Sequence, residues 1–236
     1  MKEKLLSLWY TVKDMFKWLP AASILAIIAL VITNACLPNY APSIQVVPGL
    51  PKIKASSHWD SNHATVRLYR EGHFFCSGVV VGDNYVLTAS HCLIDKNYRL
   101  DKTPILVEND DQTKDVVARA VGIDLRMDRG LIQGNFQEFS GAPVVFDRLV
   151  VEAQVLACGF PHGTKYLNCI VLAPQVNDAF LIKCMGILFP GMSGGPVFDE
   201  HGFVIGVNVQ VYGVETGGGA AYSPTDGILA VFGVEP

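Results

Sequence analysis

Two short segments of this 236-residue chain carry side chains suited to covalent chemistry. The first runs Cys76-Ser77-Gly78-Val79-Val80-Val81-Gly82-Asp83-Asn84-Tyr85-Val86-Leu87-Thr88-Ala89-Ser90-His91-Cys92. It reads as two apolar strands around a tight turn, with His91 where the second strand ends. The other is Gly191-Met192-Ser193-Gly194-Gly195-Pro196, a serine held in a glycine-rich turn ahead of another apolar run. Glycines there allow positive φ and let consecutive N–H groups aim at one point, which is what stabilising a developing oxyanion requires. A hydroxyl is a poor nucleophile until a base takes its proton. His91 is the natural base, and a buried carboxylate would have to fix its tautomer and stabilise the imidazolium.

The elements that must position these groups are strands. Beyond residue 55 the helical period is scarce, and short apolar, β-branched runs recur between turn residues. They are Ala64 to Tyr69, Gly78 to Val81, Tyr85 to Thr88, Val116 to Val121, Leu149 to Gly159, Asn168 to Leu172, Ala179 to Cys184, Gly195 to Phe198 and Phe203 to Gln210. Gly82-Asp83-Asn84 and Asp199-Glu200-His201-Gly202 are hairpin turns. The spacing predicts an all-β sandwich or barrel, single or doubled. Only Thr225 to Phe232 reads as helical.

With these segments in order, the chain resembles serine endopeptidases of the trypsin/chymotrypsin superfamily. Leu87-Thr88-Ala89-Ser90-His91-Cys92 is similar to that family's L-T-A-A-H-C box, and Gly191 to Pro196 to its G-D-S-G-G-P box. The likeness covers about residues 60 to 232. The stretch from Ser193 to Asn208, with Gly159-Phe160-Pro161-His162-Gly163, is closer to bacterial high-temperature-requirement proteases, without the PDZ domain of that group. The resemblance implies two packed six-stranded Greek-key β-barrels with a short C-terminal helix and the catalytic residues in the cleft between the barrels. It implies a His91, Asp128, Ser193 triad and an oxyanion hole made by the N–H groups of Gly191 and Ser193. Asp128-Arg129-Gly130-Leu131-Ile132 fits the family's carboxylate pattern, whereas Asp124 lines up with a surface turn residue. A polypeptide substrate is implied, and no metal or other cofactor.

Two departures from the family pattern matter. Met192 stands where trypsins carry the Asp that receives a newly freed N-terminus, so a domain active without such processing, or one ordered by its substrate, is expected. Ile187, six residues before Ser193, occupies the position that reads the side chain before the scissile bond; with Asn208 it suggests a pocket for an apolar or small side chain. Cys76 and Cys92 match the family's histidine-loop disulfide, a closure that contributes about 3 kcal/mol in the chain-entropy model. Cys169 can pair with Cys158 or with Cys184, leaving one thiol over unless Cys36 or another chain takes it. His58, His63 and His73 lack metal-ligand spacing.

The chain is more apolar than a soluble domain of its size needs, and the excess has a place. From Trp18 to Pro51 there is no charged residue or histidine, and Leu19 to Ile32 is almost purely aliphatic. Lys2, Lys4, Lys13 and Lys17 precede it against Glu3 and Asp14, so the lead is basic and the remainder acidic. That asymmetry keeps the N-terminus cytoplasmic and sends the rest of the chain across the membrane. Leu19 to Leu37 is long enough for an uncleaved anchor; alternatively Thr33-Asn34-Ala35-Cys36 is a degenerate lipobox with Cys36 lipidated. The expected organisation is a basic lead (1–18), a signal peptide or membrane anchor (19–37), a proline-rich stalk (38–54) and a peptidase domain (55–236), its barrels at roughly 55–140 and 141–236. A net charge of -4 offers no basic stripe, so no nucleic-acid partner is expected, and nothing specifies an oligomer. The alternative reading is a catalytically inactive homologue serving as a membrane-tethered binding module, with the membrane as its second partner.

Overall fold

The computed structural model describes residues 43–144, 154–164, 167–176, 182–185, 188–212, 219–224 and 231–232. The expected lead, the anchor and Cys36 lie outside them, as does Ile187. Thirteen strands are present among the described residues. The first group is β1 (Ile44–Val46), β2 (Thr65–Arg70), β3 (His73–Gly82), β4 (Tyr85–Thr88), β5 (Ile105–Glu108), β6 (Asp115–Asp124) and β7 (Arg129–Gln133). The second is β8 (Val155–Gly159), β9 (Asn168–Val176), β10 (Ile182–Met185), β11 (Pro196–Phe198), β12 (Val204–Tyr212) and β13 (Gly219–Pro224).

In the first group the sheet order is β1-β6-β5-β2-β3-β4-β7, and β6 also pairs with β7, so β2 to β7 pair in a ring with β1 added outside β6. The second group closes as β10-β13-β12-β11-β8-β9. Among the described residues, closure leaves β2 to β7 and β8 to β13 without free edges, and β1 alone keeps one. Alternation does the sorting: in β2, Val66 and Leu68 enter one core with Val80, Val86, Ile105, Val107, Ile123 and Ile132. A second cluster joins the two groups, with Val79, Val81, Tyr85, Leu87 and Leu131 packed with Cys158, Phe198, Val204, Val207 and Phe232. The helix expected over Thr225 to Phe232 lies outside the described residues but for Val231, which is helical, and Phe232, which is buried.

Two sequence readings change, and one residue is added. The stalk expected up to residue 54 is already part of the fold from Ile44: β1 pairs with β6, and the Val47 N–H donates to the Val121 carbonyl at 2.8 Å. Proline removes a donor but leaves its carbonyl, and Pro51 O accepts the Tyr85 hydroxyl at 2.6 Å, while Leu50 and Ile53 pack on the core. The folded domain therefore begins well before residue 55. Asp124 is no surface residue. It is fully buried, accepts the Arg126 N–H at 3.1 Å and pairs with the buried guanidinium of Arg129 at 2.9 Å. Arg67, passed over in the sequence, is fully buried too; its guanidinium stacks 3.8 Å from the Phe160 ring centroid and donates to the carbonyls of Asn109, Asp110 and Thr164.

Cysteine pairing is decided by register. Cys158 and Cys169 face each other across β8 and β9 and form a disulfide, and Cys76 is bonded to Cys92.

Removing one partner of a buried ion pair strands the other charge. Asp124→Asn should lower the unfolding free energy by about 3 kcal/mol in urea denaturation. Arg119→Gln, at an exposed hydrogen bond to Gln133, should shift it by less than about 0.5 kcal/mol.

Candidate active site

His91 sits in a single 3-10 turn, Ser90–Cys92, that leaves the end of β4. The turn is held from below by the Cys76–Cys92 disulfide and from the side by Asp128, which lies in the β6–β7 connection. The Asp128 backbone is left-handed at φ 51°, a conformation that Asp adopts more readily than most side chains. It turns the carboxylate onto the histidine turn. Oδ1 accepts the His91 backbone N–H at 2.9 Å and the Ser90 hydroxyl at 2.8 Å, and Oδ2 lies 2.8 Å from His91 Nδ1. A carboxylate at Nδ1 favours the tautomer with its proton there and leaves the Nε2 lone pair to act as base. The His91 side chain is 40% exposed and that of Asp128 29%.

Burial pushes the Asp128 carboxyl up, but the His91 ring, the His91 N–H and the Ser90 hydroxyl outweigh it and hold the group below its ordinary value. Asp124 occupies a separate buried ion pair, so the two carboxylates of this loop do different work.

Ser193 enters from the other sheet, in the turn between Leu188 and Pro196. Its carbonyl accepts the Ser77 N–H at 2.8 Å and lies 4.0 Å from Cys92 Sγ, which sets the serine beside the histidine turn. Among the described residues its hydroxyl makes no hydrogen bond. Gly191, Gly194 and Gly195 of this turn all lack room for a Cβ, and the first two also sit at positive φ. Gly191 has φ +96°, and a Cβ there would meet the Phe160 carbonyl at 2.6 Å and the Phe74 ring at 2.7 Å. Gly194 has φ +78°, and a Cβ there would overlap Thr88 Oγ1 and meet the Ser77 carbonyl at 2.5 Å.

The carbonyls from Pro190 to Met192 are each held by a hydrogen bond. Pro190 O accepts the His162 N–H at 2.7 Å, and Gly191 O accepts the Ser77 hydroxyl at 2.7 Å. Met192 O accepts the Gly195 N–H at 3.0 Å and the Asn208 amide at 3.3 Å. A trans peptide points its N–H opposite its C=O, so holding the carbonyls of Pro190 and Met192 aims the N–H groups of Gly191 and Ser193 the other way. Neither of these N–H groups donates within the described residues. Asn208, read from sequence as a pocket residue, is fully buried beneath the turn: its amide also donates to Cys158 O at 2.8 Å, and its backbone exchanges hydrogen bonds with Gly194 and Gly195. The Met192 side chain, in the position of a carboxylate in trypsins, is fully buried and packs on Gly159.

The sequence reading missed Ser77 and the His162 backbone. Ser77 stands next to a cysteine and a glycine in the quoted segment, but only pairing across the two sheets gives its hydroxyl a role. Among the described residues, one His/Cys group has metal-compatible spacing, Cys76, His91 and Cys92. Both its sulfurs are tied in the disulfide.

Residues 76–207 match the model of the trypsin-like peptidase domain. Among curated proteins, a probable periplasmic serine endoprotease DegP-like of Pseudomonas putida is 32% identical over 155 residues, 61% of this chain and 30% of that protein. One of the same description from a Marinomonas strain is 32% identical over 148 residues, 58% of this chain and 29% of that protein. The chain thus spans about 30% of the length of these relatives. Among solved structures, the serine endoprotease from Yersinia pestis superposes with a TM-score of 0.58 at 22% identity, over 71% of this chain and 60% of that one. A Glu endopeptidase superposes with 0.61 at 14% identity, over 80% and 94%. At such identities the structures speak for the fold.

Because the folded-state pKa of Asp128 lies below its unfolded value, its contribution to stability is complete above the ordinary carboxylate value and is lost as pH falls through the folded-state pKa. Carboxyl carbon NMR should show Asp128 titrating below ordinary aspartates. In His91→Ala the ring's hydrogen bond and charge are gone, and the same resonance should titrate at higher pH.

Proposed function

Because the chain belongs to the trypsin-like peptidase domain family, we propose that it is a serine endopeptidase that cleaves peptide bonds through an acyl-enzyme. The observation that carries the proposal is the His91 Nδ1 to Asp128 Oδ2 contact at 2.8 Å beside a serine turn in which the N–H groups of Gly191 and Ser193 are unused among the described residues. Ser193 Oγ attacks the substrate carbonyl carbon as His91 Nε2 takes the hydroxyl proton. Asp128 stabilises the imidazolium through Nδ1–H. The N–H groups of Gly191 and Ser193 hold the oxyanion of the tetrahedral intermediate. His91 then passes the proton to the leaving amine, and a water activated by the same nitrogen hydrolyses the ester. Every step is met by residues of this chain.

No new N-terminus is needed to order the turn. Its carbonyls are already held by His162, Ser77, Gly195 and Asn208, and Met192 fills the space with an apolar side chain. The domain is therefore active without cleavage near its start. Export fits the two disulfides and the periplasmic description of the relatives. The apolar stretch 19–37 would direct that export and tether the domain, either as an anchor or through a lipid on Cys36. No helix of the described residues is long and apolar enough to cross a membrane. The substrate side chain before the scissile bond falls to Ile187, whose apolar side chain favours a small or apolar residue.

A fluorophosphonate probe should label the purified protein at one equivalent, and labelling should vanish in Ser193→Ala and fall to background in His91→Ala. A folded, oxidised sample that takes no label would overturn the enzymatic reading in favour of a binding module. In Asp128→Asn the amide would hold the wrong tautomer, and turnover of a peptide substrate should drop by about 10⁴-fold.

A further inference from the structure

Ser77 is fully buried in β3, on the sheet that carries His91, yet most of its hydrogen bonds leave that sheet. Its N–H donates to the Ser193 carbonyl at 2.8 Å. Its hydroxyl oxygen lies 3.0 Å from the Phe160 N–H and 2.7 Å from the Gly191 carbonyl. Its own carbonyl accepts the Thr88 hydroxyl at 2.8 Å, at the foot of the histidine turn. A hydroxyl has one proton, and a backbone N–H can only donate. The proton must therefore go to Gly191 O, and the oxygen accepts from Phe160. The direction of this small network has no alternative.

We infer that the Ser77 hydroxyl is a positioning residue for the oxyanion turn, fixing the peptide planes on both sides of Gly191 so that the Gly191 N–H keeps its aim. The plane after Gly191 is held directly, through its carbonyl. The plane before it is held through the neighbouring segment: Ser77 anchors the Phe160 N–H, and two residues on, the His162 N–H holds Pro190 O at 2.7 Å. Gly191 is the most permissive residue of the turn, at φ +96°, so it is where the backbone would rotate if these holds were lost. Removing the hydroxyl leaves a buried carbonyl and a buried N–H without their partner, and rotation about Gly191 toward water is the cheapest relief. That rotation takes the Gly191 N–H off the oxyanion. Ser77 touches no reacting atom; it acts through the turn. The same residue ties the serine turn to the strand leading to His91, so the base and the oxyanion donors are set in one frame.

The inference rests on the reading of Gly191 and Ser193 as oxyanion donors, and its test has an arm that does not need activity. In the unaltered protein, the amides of Met192 and Phe160, which donate to Phe189 O and to Ser77 Oγ, should exchange with solvent deuterium at least about 100-fold more slowly than those of Gly191 and Ser193. In Ser77→Ala the Met192 and Phe160 amides should speed up by at least about 10-fold, while amides of β4 stay unchanged. Equal, fast exchange across the turn in the unaltered protein would overturn the inference, and this measurement stands even where the alanine variant does not fold. On a peptide substrate, Ser77→Ala should lower kcat by about 10- to 100-fold, less than deleting an oxyanion donor outright, with KM changed by less than about 2-fold. The affinity of a peptide boronate, which places an oxygen in the oxyanion position, should fall by the same factor as kcat. Fluorophosphonate should still reach one equivalent, more slowly. A loss confined to KM, or to thermal stability with kcat and boronate affinity intact, would sink the positioning role. If the unaltered protein takes no label and cleaves nothing, the enzymatic reading fails by itself, and the exchange rates still decide whether Ser77 holds the turn.

Discussion

A planar trans peptide cannot aim its N–H without also placing its carbonyl on the opposite side. The proposed oxyanion site, made of two backbone N–H groups, is therefore a problem of where to put the carbonyls of the serine turn. Pro190 O goes to His162, Gly191 O to Ser77, Met192 O to Gly195 and Asn208, and Ser193 O to Ser77. Ser77 meets two of these carbonyls, one with its hydroxyl and one with its N–H, and His162, Gly195 and Asn208 meet the others. Three of these donors lie on β3, on the 3-10 turn after β8 and on β12, so the turn is ordered only when both sheets are in place.

The two sheets are held together by the apolar cluster in which Val79, Val81, Tyr85, Leu87 and Leu131 meet Cys158, Phe198, Val204 and Val207. Burying that surface is the nondirectional part of the assembly. The directional part is polar and sits at the same place. The Ser77 hydroxyl and the Arg67 guanidinium both reach from β2 and β3 to the 160–164 segment, Ser77 by a hydrogen bond to Phe160 and Arg67 by stacking on its ring and bonding to Thr164 O. Apolar packing brings the sheets into contact, and these bonds select one register between them. The β6–β7 connection shows the same division. Asp124 is consumed by Arg129 inside the protein, whereas Asp128, four residues on, is turned by a positive φ toward His91 and remains partly open to water.

Much of this was legible in one dimension because the information is local. Alternating apolar residues and turn signals mark β2, β3, β4 and β12 in the sequence, since side chains on a strand must alternate faces whatever the strand pairs with. The two boxes around His91 and Ser193 are recognisable because a tight turn tolerates few residue types; Gly191 and Gly194 have no room for a Cβ and sit at positive φ. What could not be read depends on which strands become neighbours. The partner of Cys169 follows from the register of β8 and β9, and the fate of Asp124 from the fold of a hairpin around Arg129. The docking of residues 44–54 depends on carbonyls that prolines leave intact, which composition hides.

The sequence by itself therefore determined the β-rich class, the order of the chemical groups along the chain and the turn that must carry a serine, because each is a property of a few adjacent residues. Only the tertiary structure decided where Asp124 is spent, what lies beneath the serine turn and which hydroxyl holds Gly191. Asn208 and Met192 are separated by 16 positions and Ser77 and Gly191 by 114, and no local preference encodes such contacts. Their geometry comes from closing two sheets and packing one on the other, which is where the cost of ordering the chain is met and where the chemistry acquires its shape.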